Sequence, residues 1–353
     1  MNFFKSVFAT VVGIFLFMLL SFFLLIGLGA LLGSGEDKVK LKDNSVIQLD
    51  LAKINFDYAG KYETDSPFSS LMMSKDKVGF IEVLKAIDAA KTDDKIKGIT
   101  IVNNQSGLGL AQSKELRDKL EDFKKSKKFV YAYANIFSQK EYYISSIADQ
   151  VYLNPAGEVD FKGLGTEMLF FKNFQDQTGL KMEIIRHGKF KSAVEPYLAQ
   201  EISPENREQV TVLLQSVWQT IVTDIAKNRN ISIAQLNTIA DGLLARTPQM
   251  ALQQKLVDKV AYEDEFNDML KSKLKVEKED DVESISITDY VDHSSAKSDD
   301  YTKDDIIAVI YAQGQINGGE GDVDYIGEGS INRSLKEARE DEGVKAIVLR
   351  VDS

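Results

Sequence analysis

The feature that most constrains the fold is a repeat within the chain. Residues 90–101 align without a gap with residues 338–349, each residue lying 248 positions before its counterpart. Nearly every aligned pair is identical or conservative, from Ala90 and Ala338 to Ile101 and Leu349. This spacing is far longer than the repeats of a solenoid, which run to a few tens of residues. The match therefore favours two tandem copies of one fold over a chance likeness between two helix–strand units.

The pattern of apolar residues predicts layers of helices and strands. Residues 80–90 have helical spacing, and the β-branched run 96–102 that follows predicts a strand. Further strands are predicted at 45–51, 129–134, 150–153 and 182–185, with helices beginning near Ser113, Tyr142 and Met168. Alternation of this kind indicates an α/β fold with mostly parallel strands.

The second half of the chain begins with helices. Ser203 followed by Pro204 is typical of a helix start, and an apolar stripe continues from there to Ile225. More helix is predicted at 233–244 and 248–254, an edge strand at 257–260, and a polar surface loop at 56–74. The charged runs 271–281 and 289–305 are interpreted as a boundary.

Three domains are therefore predicted: an anchor at 1–35, a first repeat at 45–290 with a helical extension at 203–255, and the start of a second repeat at 304–353. The last predicted strand, 346–351, lies at the end of the sequence. A parallel strand normally continues into a crossover, so we expect the sequence to be part of a longer protein.

The first 35 residues indicate a membrane anchor. No charged side chain occurs between Ser6 and Gly35, and residues 7–32 are almost wholly apolar. About 20 such residues cross the hydrocarbon core, whereas a secretory signal has an apolar core of only about 7–15. A single-pass anchor is favoured, although the small residues Gly27, Gly29 and Ala30 keep cleavage open. Lys5 favours a cytoplasmic start, with the bulk of the chain on the other side.

Composition excludes several classes of site. The net charge is −11, which argues against a nucleic-acid partner, since that would need clustered positive charge. There is no cysteine, and the two histidines are His187 and His293, so a Cys/His metal site is excluded. The loop 318–321 lacks the Lys-Ser/Thr partner of a P-loop. We expect neither a metal nor a cofactor.

One polar segment between predicted core elements contains candidate catalytic residues. Residues 186–197 read Arg-His-Gly-Lys-Phe-Lys-Ser-Ala-Val-Glu-Pro-Tyr. Lys189 and Lys191 are either solvated loop charges or include a base. A lysine acts as a base only as the neutral amine, and burial or a nearby cation lowers its pKa from about 10.4 towards neutrality. Spacing leaves both lysines open, and Glu195 would have to point away from Lys191. Ser138 is a weaker candidate nucleophile, with an N-cap as the simpler interpretation.

These residues carry a resemblance to a known family. Residues 188–197 are similar to the lysine motif of the SppA-type signal peptide peptidases, also called protease IV, in their long two-repeat form. Residues 138–144 resemble the first-repeat counterpart of the segment that contains the family's nucleophile. Residues 346–353 resemble the strand that family members continue with Pro-Gly-Gly. The resemblance covers the chain from the anchor to the last residue.

The resemblance implies a crotonase/ClpP-like α/β fold in each repeat and a Ser-Lys dyad that cleaves peptides. Lys191 corresponds to the general base, and no cofactor is implied. The implied assembly is a homo-tetramer on the bacterial inner membrane, with its bulk on the periplasmic side. The serine belongs to the second repeat, and the 248-residue step carries Ser138 to position 386. Residues 103–109 would be a degenerate counterpart of the catalytic region, and residues 1–353 alone would be inactive.

Two other functions remain open at this stage. A membrane-anchored scaffold of the same fold would bind partners without catalysis. An acyl-CoA enzyme shares the fold, and fold does not fix function. A glycine-flanked serine about 30–40 residues beyond Ser353, the span of one strand–crossover unit, would favour the peptidase.

Overall fold

The structure is a computed structural model that describes most of the chain. The described residues are 2–33, 41–55, 57, 78–102, 105–185, 187–188, 190–277, 279–295, 305–321 and 325–353. The loop predicted at 56–74 lies outside them except for Asp57, and Lys189 also lies outside them. Residues 1–40 and 41–353 form two separate compact units.

The described part of the first unit is one long helix. Helix α1 spans Asn2–Gly33, and its stretch Phe3–Leu24 is long and apolar enough to cross a membrane. A signal sequence near an N-terminus meets the same criterion of length and composition. The predicted apolar helix is therefore confirmed by its length and composition.

The second unit is organised around a six-stranded sheet with parallel neighbours in the order β7-β6-β5-β4-β1-β8. Its strands are β1 (Ser45–Asp50), β4 (Ile96–Val102), β5 (Phe129–Phe137), β6 (Gln150–Val159), β7 (Lys259–Val260) and β8 (Ser284–Ser286). The short strands β2 (Ile54–Asn55) and β3 (Val78–Gly79) pair separately. A mixed α/β architecture with a parallel sheet, as the alternating pattern predicted, is confirmed.

Helices cover both faces of this sheet. They are α2 (Phe80–Thr92), α3 (Leu110–Lys124), α4 (Gln139–Ser145), α5 (Lys172–Thr178), α6 (Glu195–Leu198), α7 (Pro204–Arg229), α8 (Ile233–Asp241), α9 (Pro248–Gln253), α10 (Glu263–Leu274) and α11 (Ile287–Ser295). Alternate side chains of each strand point to opposite faces, so Val130 joins the main core with α2 and α3. Phe129 and Tyr131 pack on the other face against Phe266 and Leu270 of α10.

The beginning of this unit is repeated near the end of the chain. Strands β9 (Ile306–Gln313), β10 (Gln315–Ile316), β11 (Tyr325–Ile326), helix α12 (Glu328–Glu340) and strand β12 (Val344–Asp352) follow the order of β1, β2, β3, α2 and β4. Helix α12 has the length of α2 and starts 248 residues after it.

Details of the strand pairing repeat as well. In the first copy, Ser45 pairs with Ile96 and the register then shifts so that Val46 pairs with Gly98. In the second copy, Ile306 pairs with Val344, and the register shifts in the same way before Ala346. The residues before the two first strands, Asn44 and Asp305, have φ values of 65° and 67°. These similarities of register and backbone conformation accord with the internal repeat predicted from the sequence.

Strand β6 is longer than predicted. It continues through Asn154 and Pro155 to Val159, where the sequence pattern predicted an end at 153. The register with β5 shifts between Ala134 and Ile136, so residues 154–157 form a bulge opposite Asn135. A proline is tolerated there because a bulge requires no ladder hydrogen bond from its nitrogen.

One other prediction, a strand at 182–185, is wrong. Residues 182–185 form no strand, and both Met182 and Ile185 are exposed. Three apolar residues in a run of four do not form a strand when no neighbouring strand pairs with them. The charged runs interpreted as a boundary contain the end of α10 and most of α11, whose Tyr290 and Val291 are buried. Their few apolar residues have helical spacing that the charged composition obscured. The domain bounds 45–290 and 304–353 stay predictions.

The bulge in β6 requires glycine at position 157, and this gives a first prediction. A Cβ atom added to Gly157 would lie 1.9 Å from the backbone oxygen of Asn135. Gly157→Ala is therefore expected to lower the free energy of unfolding by about 1–3 kcal/mol, the usual range for overpacking. Gly165→Ala is the matched control, because a Cβ there meets nothing within 4 Å. Urea unfolding of both variants measures the difference, and equal midpoints would contradict the close approach.

Candidate functional site

The lysine motif lies in an extension between β6 and α7, called here the arm (residues 160–203). The arm contains α5, a 3-10 turn at Ser192–Val194 and the short helix α6. Lys191 directly precedes the 3-10 turn, with φ −87°. Gly188 has φ +91°, a conformation that favours glycine. The motif is therefore a structured turn rather than the end of a strand.

Lys191 lies in an open groove of about 560 Å³. The lining is mostly apolar and consists of Ile185, His187, Phe190, Lys191, Ser192, Ala193 and Val194. The Lys191 side chain is exposed, as is His187. The desolvation that a neutral lysine needs is therefore not provided by the described residues of a single chain, although apolar walls are present.

Glu195, at the other end of the turn, is buried. Its carboxylate accepts hydrogen bonds from Ser203 Oγ (2.5 Å), from the Ser203 amide (3.3 Å) and from Asn206 Nδ2 (2.9 Å). The Ser203 hydroxyl also caps α7 by accepting from the Asn206 amide (3.2 Å). A buried carboxylate is stable only with such donors, so this cluster fixes the turn after Lys191 to the first residues of α7.

A second set of contacts fixes the arm to itself. Gln175 Nε2 donates to the carbonyl of Tyr197 (2.9 Å), and Gln175 Oε1 accepts from the Met182 amide (2.9 Å). The Phe171 amide donates to the Pro196 carbonyl (2.6 Å), and the Phe171 and Tyr197 rings stack at 5.6 Å. These contacts join α5 to both sides of the lysine motif.

Helix α7 connects the arm to the sheet unit through Arg117 of α3, which is 2% exposed. The Arg117 guanidinium donates to four acceptors on α4 and α7: the Tyr143 carbonyl, Ser146 Oγ, the Asp224 carbonyl and Asn228 Oδ1, at 2.5–2.9 Å. Burial lowers the pKa of Arg117, but arginine starts so far above neutrality that it stays charged. The Tyr143 hydroxyl also donates to Asp224 (2.5 Å), and burial raises the pKa of Tyr143.

Residues 138–141 have structural contacts. Ser138 caps α4 by accepting from the Glu141 amide (3.3 Å), which is the simpler of its two interpretations. Glu141 in turn accepts from the amides of Ser106 (2.9 Å) and Ser138 (3.2 Å). The Lys140 ammonium donates to the carbonyls of Ser106 and Leu108. These bonds hold the described part of the predicted segment 103–109 in place.

Sequence reasoning missed the contacts around Glu195. The pair Ser203-Pro204 signalled a helix start, but no local pattern links a carboxylate at 195 to that cap. The described residues contain no group of three His, Cys, Asp or Glu side chains suited to a metal ion.

The arm and the first half of α7 expose many large apolar side chains. They include Leu169, Phe174, Leu180, Ile185, Phe190 and Leu213, each more than half exposed. Exposed apolar surface concentrated in this way is unusual on a soluble monomer and is typical of an interaction site.

Comparison with known proteins supplies the context for this geometry. Residues 122–277, which include the whole arm, match the model of peptidase family S49. The chain is 33% identical over 285 residues to Protease 4 of Haemophilus influenzae, covering 78% of this chain and 46% of that protein. It is 34% identical over 281 residues to Protease 4 of Salmonella typhi (77% and 45%). It is 29% identical over 276 residues to the chloroplastic serine protease SPPA of Arabidopsis thaliana (75% and 39%). The chain thus spans less than half the length of these relatives.

The Glu195 cluster gives a second prediction. Replacing Glu195 with alanine leaves the half-buried Ser203 hydroxyl and the buried Asn206 amide without their acceptor. Hydrogen bonds to a charged group contribute about 1.5–3 kcal/mol. Amide hydrogen exchange across residues 192–206 is therefore expected to accelerate about tenfold to hundredfold. Glu201→Ala, at an exposed carboxylate in the same arm, is the control and should leave the exchange unchanged. Equal exchange in both variants would show that Glu195 does not fix the turn.

Proposed function

We propose, on the premise that the chain belongs to peptidase family S49 as an SppA-type protease, that it supplies the general base of a membrane-anchored serine endopeptidase. The base is Lys191. The observation that carries this proposal is its position in an apolar-walled groove within the region that matches the family. The sequence resemblance, which aligns Lys191 with the family's catalytic lysine, supports the same assignment.

The proposed reaction is acyl transfer. The neutral Lys191 amine accepts the proton of a serine hydroxyl as the serine oxygen bonds to the peptide carbonyl carbon. The resulting ammonium donates that proton to the leaving amine when the peptide C–N bond breaks, and water then hydrolyses the acyl-enzyme. Backbone amides stabilise the oxyanion. The serine is assigned to the second repeat, at position 386 by the repeat offset.

The substrates we propose are apolar peptides, including released signal peptides. Ile185, Phe190 and Val194 offer apolar contacts along the groove, which suits extended apolar chains. The length and composition of α1 support anchoring, and the position of Lys5 supports a cytoplasmic N-terminus with the enzyme on the outer side of the inner membrane.

We further propose that the protein acts as a homo-oligomer, a tetramer by family resemblance. The exposed apolar side chains of the arm support this, since a neighbouring chain would bury them. The same contact would remove water from around Lys191, and an environment with less water favours the neutral amine that a general base requires. Burial and catalysis would then depend on one interface.

The third prediction concerns Lys191. In a protein that includes the whole second repeat, Lys191→Ala is expected to lower kcat/KM on an apolar fluorogenic peptide by about 100–10,000-fold, the range for loss of a general base. Lys181→Ala removes an exposed lysine from the same arm and should retain activity. Residues 1–353 alone are expected to be inactive.

The pH–rate profile completes this test. Activity should fall as the pH decreases, because protonation of the amine removes the base. Full activity of Lys191→Ala would overturn the assignment. Inactivity of the wild-type longer protein on every peptide would favour the anchored scaffold instead.

The fourth prediction concerns assembly. Leu169→Glu combined with Phe174→Glu places two charges on the exposed apolar surface of the arm, where burial of an unpaired charge is costly. The mass measured by light scattering in detergent is expected to fall from oligomer to monomer. Leu252→Glu, at an exposed leucine of α9, is the control and should leave the mass unchanged. An unchanged mass in the double variant would place the interface elsewhere.

A further inference from the structure

Six lysine side chains surround one shallow cavity at an edge of the six-stranded sheet. The cavity measures about 410 Å³, and the lysines are Lys97, Lys124, Lys127, Lys128, Lys273 and Lys275. Among the described lining residues the only carboxylate is Asp149. The whole chain has a net charge of −11, so the charge of this cavity lining is opposite in sign to that of the protein as a whole.

Among the described residues, one of these six lysines forms an ion pair with a carboxylate. Lys124 pairs with Asp149 at 2.8 Å. Lys97 donates to the carbonyl of Asp94, and Lys128 donates to the carbonyls of Ala90 and Asp93, contacts that do not neutralise an ammonium group.

The other three lysines have no carboxylate partner within the described chain. Lys127, Lys273 and Lys275 line the cavity without an ion pair among the described residues. With six ammonium groups and one carboxylate, the lining has a net charge of +5.

This edge of the sheet contains the N-terminal ends of the parallel strands. Strands β1, β4, β5 and β6 are parallel, so their first residues lie at one edge. Asn44, directly before β1, lines the cavity and donates to the Leu274 carbonyl (3.1 Å). Leu41 is buried, and its carbonyl accepts from Lys95 Nζ (3.1 Å).

Covalent connectivity limits how far this edge can be from the membrane. Residues 34–40 alone separate the last residue of α1, Gly33, from Leu41. Eight residue steps span at most about 30 Å when fully extended. In an anchored chain this short connection sets an upper limit on the distance between Gly33 and the first residues of the sheet unit.

We propose that this basic edge, defined by the six lysines above, binds the anionic headgroups of the phospholipids around the anchor. The inference rests on the membrane anchoring proposed above. Each basic side chain at an anionic surface strengthens binding about fivefold, and the attraction decays within a Debye length of about 10 Å at 0.1 M salt. The contact turns the N-terminal edge of the sheet towards the bilayer. The arm, which follows the C-terminal end of β6, then leaves from the opposite edge.

The absence of cysteine from the sequence makes a sharp test possible. Single cysteines placed at Lys125, beside the basic edge, and at Ile136, near the other end of β5, are each labelled with a fluorophore; both native side chains are exposed. The full chain is reconstituted into vesicles of phosphatidylcholine, with or without phosphatidylglycerol, whose headgroups include a fluorescent acceptor. Energy transfer then reports how near each end of β5 lies to the surface.

Transfer from position 125 is expected to be about twofold higher in the anionic vesicles, and high salt should abolish the increase because it shortens the Debye length. Transfer from position 136 should not increase. The triple variant Lys127→Gln, Lys273→Gln, Lys275→Gln should lose the difference between vesicles. The control Lys162→Gln, Lys181→Gln, Lys336→Gln removes the same charge from exposed lysines elsewhere and should keep it.

Three outcomes would overturn the proposal. Equal transfer from position 125 in the two kinds of vesicle would exclude a headgroup contact. An unchanged difference in the triple variant would assign the contact to other residues. Failure of the chain to float with either kind of vesicle would instead overturn the anchoring itself, and this inference with it.

Discussion

A buried guanidinium joins the part of this chain that forms the sheet to the part that carries the lysine motif. Arg117 lies on α3, and its donors reach α4 on one side and the last turns of α7 on the other. Removing one partner of such a buried charge network typically costs about 3–5 kcal/mol, because the remaining groups stay buried without partners. These contacts, together with the buried residues Ile221, Val222 and Ile225, place α7, and through Ser203 and Glu195 they contribute to the placement of Lys191.

Polar groups on the arm differ in how fully this chain encloses them. Glu195 is the carboxylate nearest in sequence to Lys191, and its oxygens accept hydrogen bonds from Ser203 and Asn206. These hydrogen bonds fix the geometry of the turn within one chain. The surroundings of Lys191 are not completed within one chain, because its side chain is exposed. A dyad that completes its surroundings only on assembly would keep an exposed lysine inert until the neighbouring surfaces meet.

Local patterns predicted the parts of this structure that depend on local physics. Helix α2 and strand β4 follow from periodicity, and their repeat in α12 and β12 follows from the 248-residue alignment. Prediction failed where distant residues decide the outcome. Residues 182–185 find no neighbouring strand, and Pro155 is accommodated because β5 and β6 shift register beside it. The resemblance to a family pointed to Lys191, but neither the Glu195 cluster nor the basic edge has a local signature, since each combines side chains from separate segments.

Helix α7 packs against the rest of the chain mainly through its C-terminal half. Its buried residues, including Ile221, Val222 and Ile225, all belong to its second half apart from Asn206, which faces the arm. About 17 residues precede them, a length of about 25 Å at 1.5 Å per residue. The C-terminal half of α7 is thus packed against the core, and its N-terminal half extends away from these contacts. A rotation of about 5° at the packed end would move the N-terminus of the helix by about 2 Å. Displacements of that size decide whether a hydrogen bond forms, so a small adjustment of packing around Arg117 would be transmitted to the amine of Lys191 as a change of alignment.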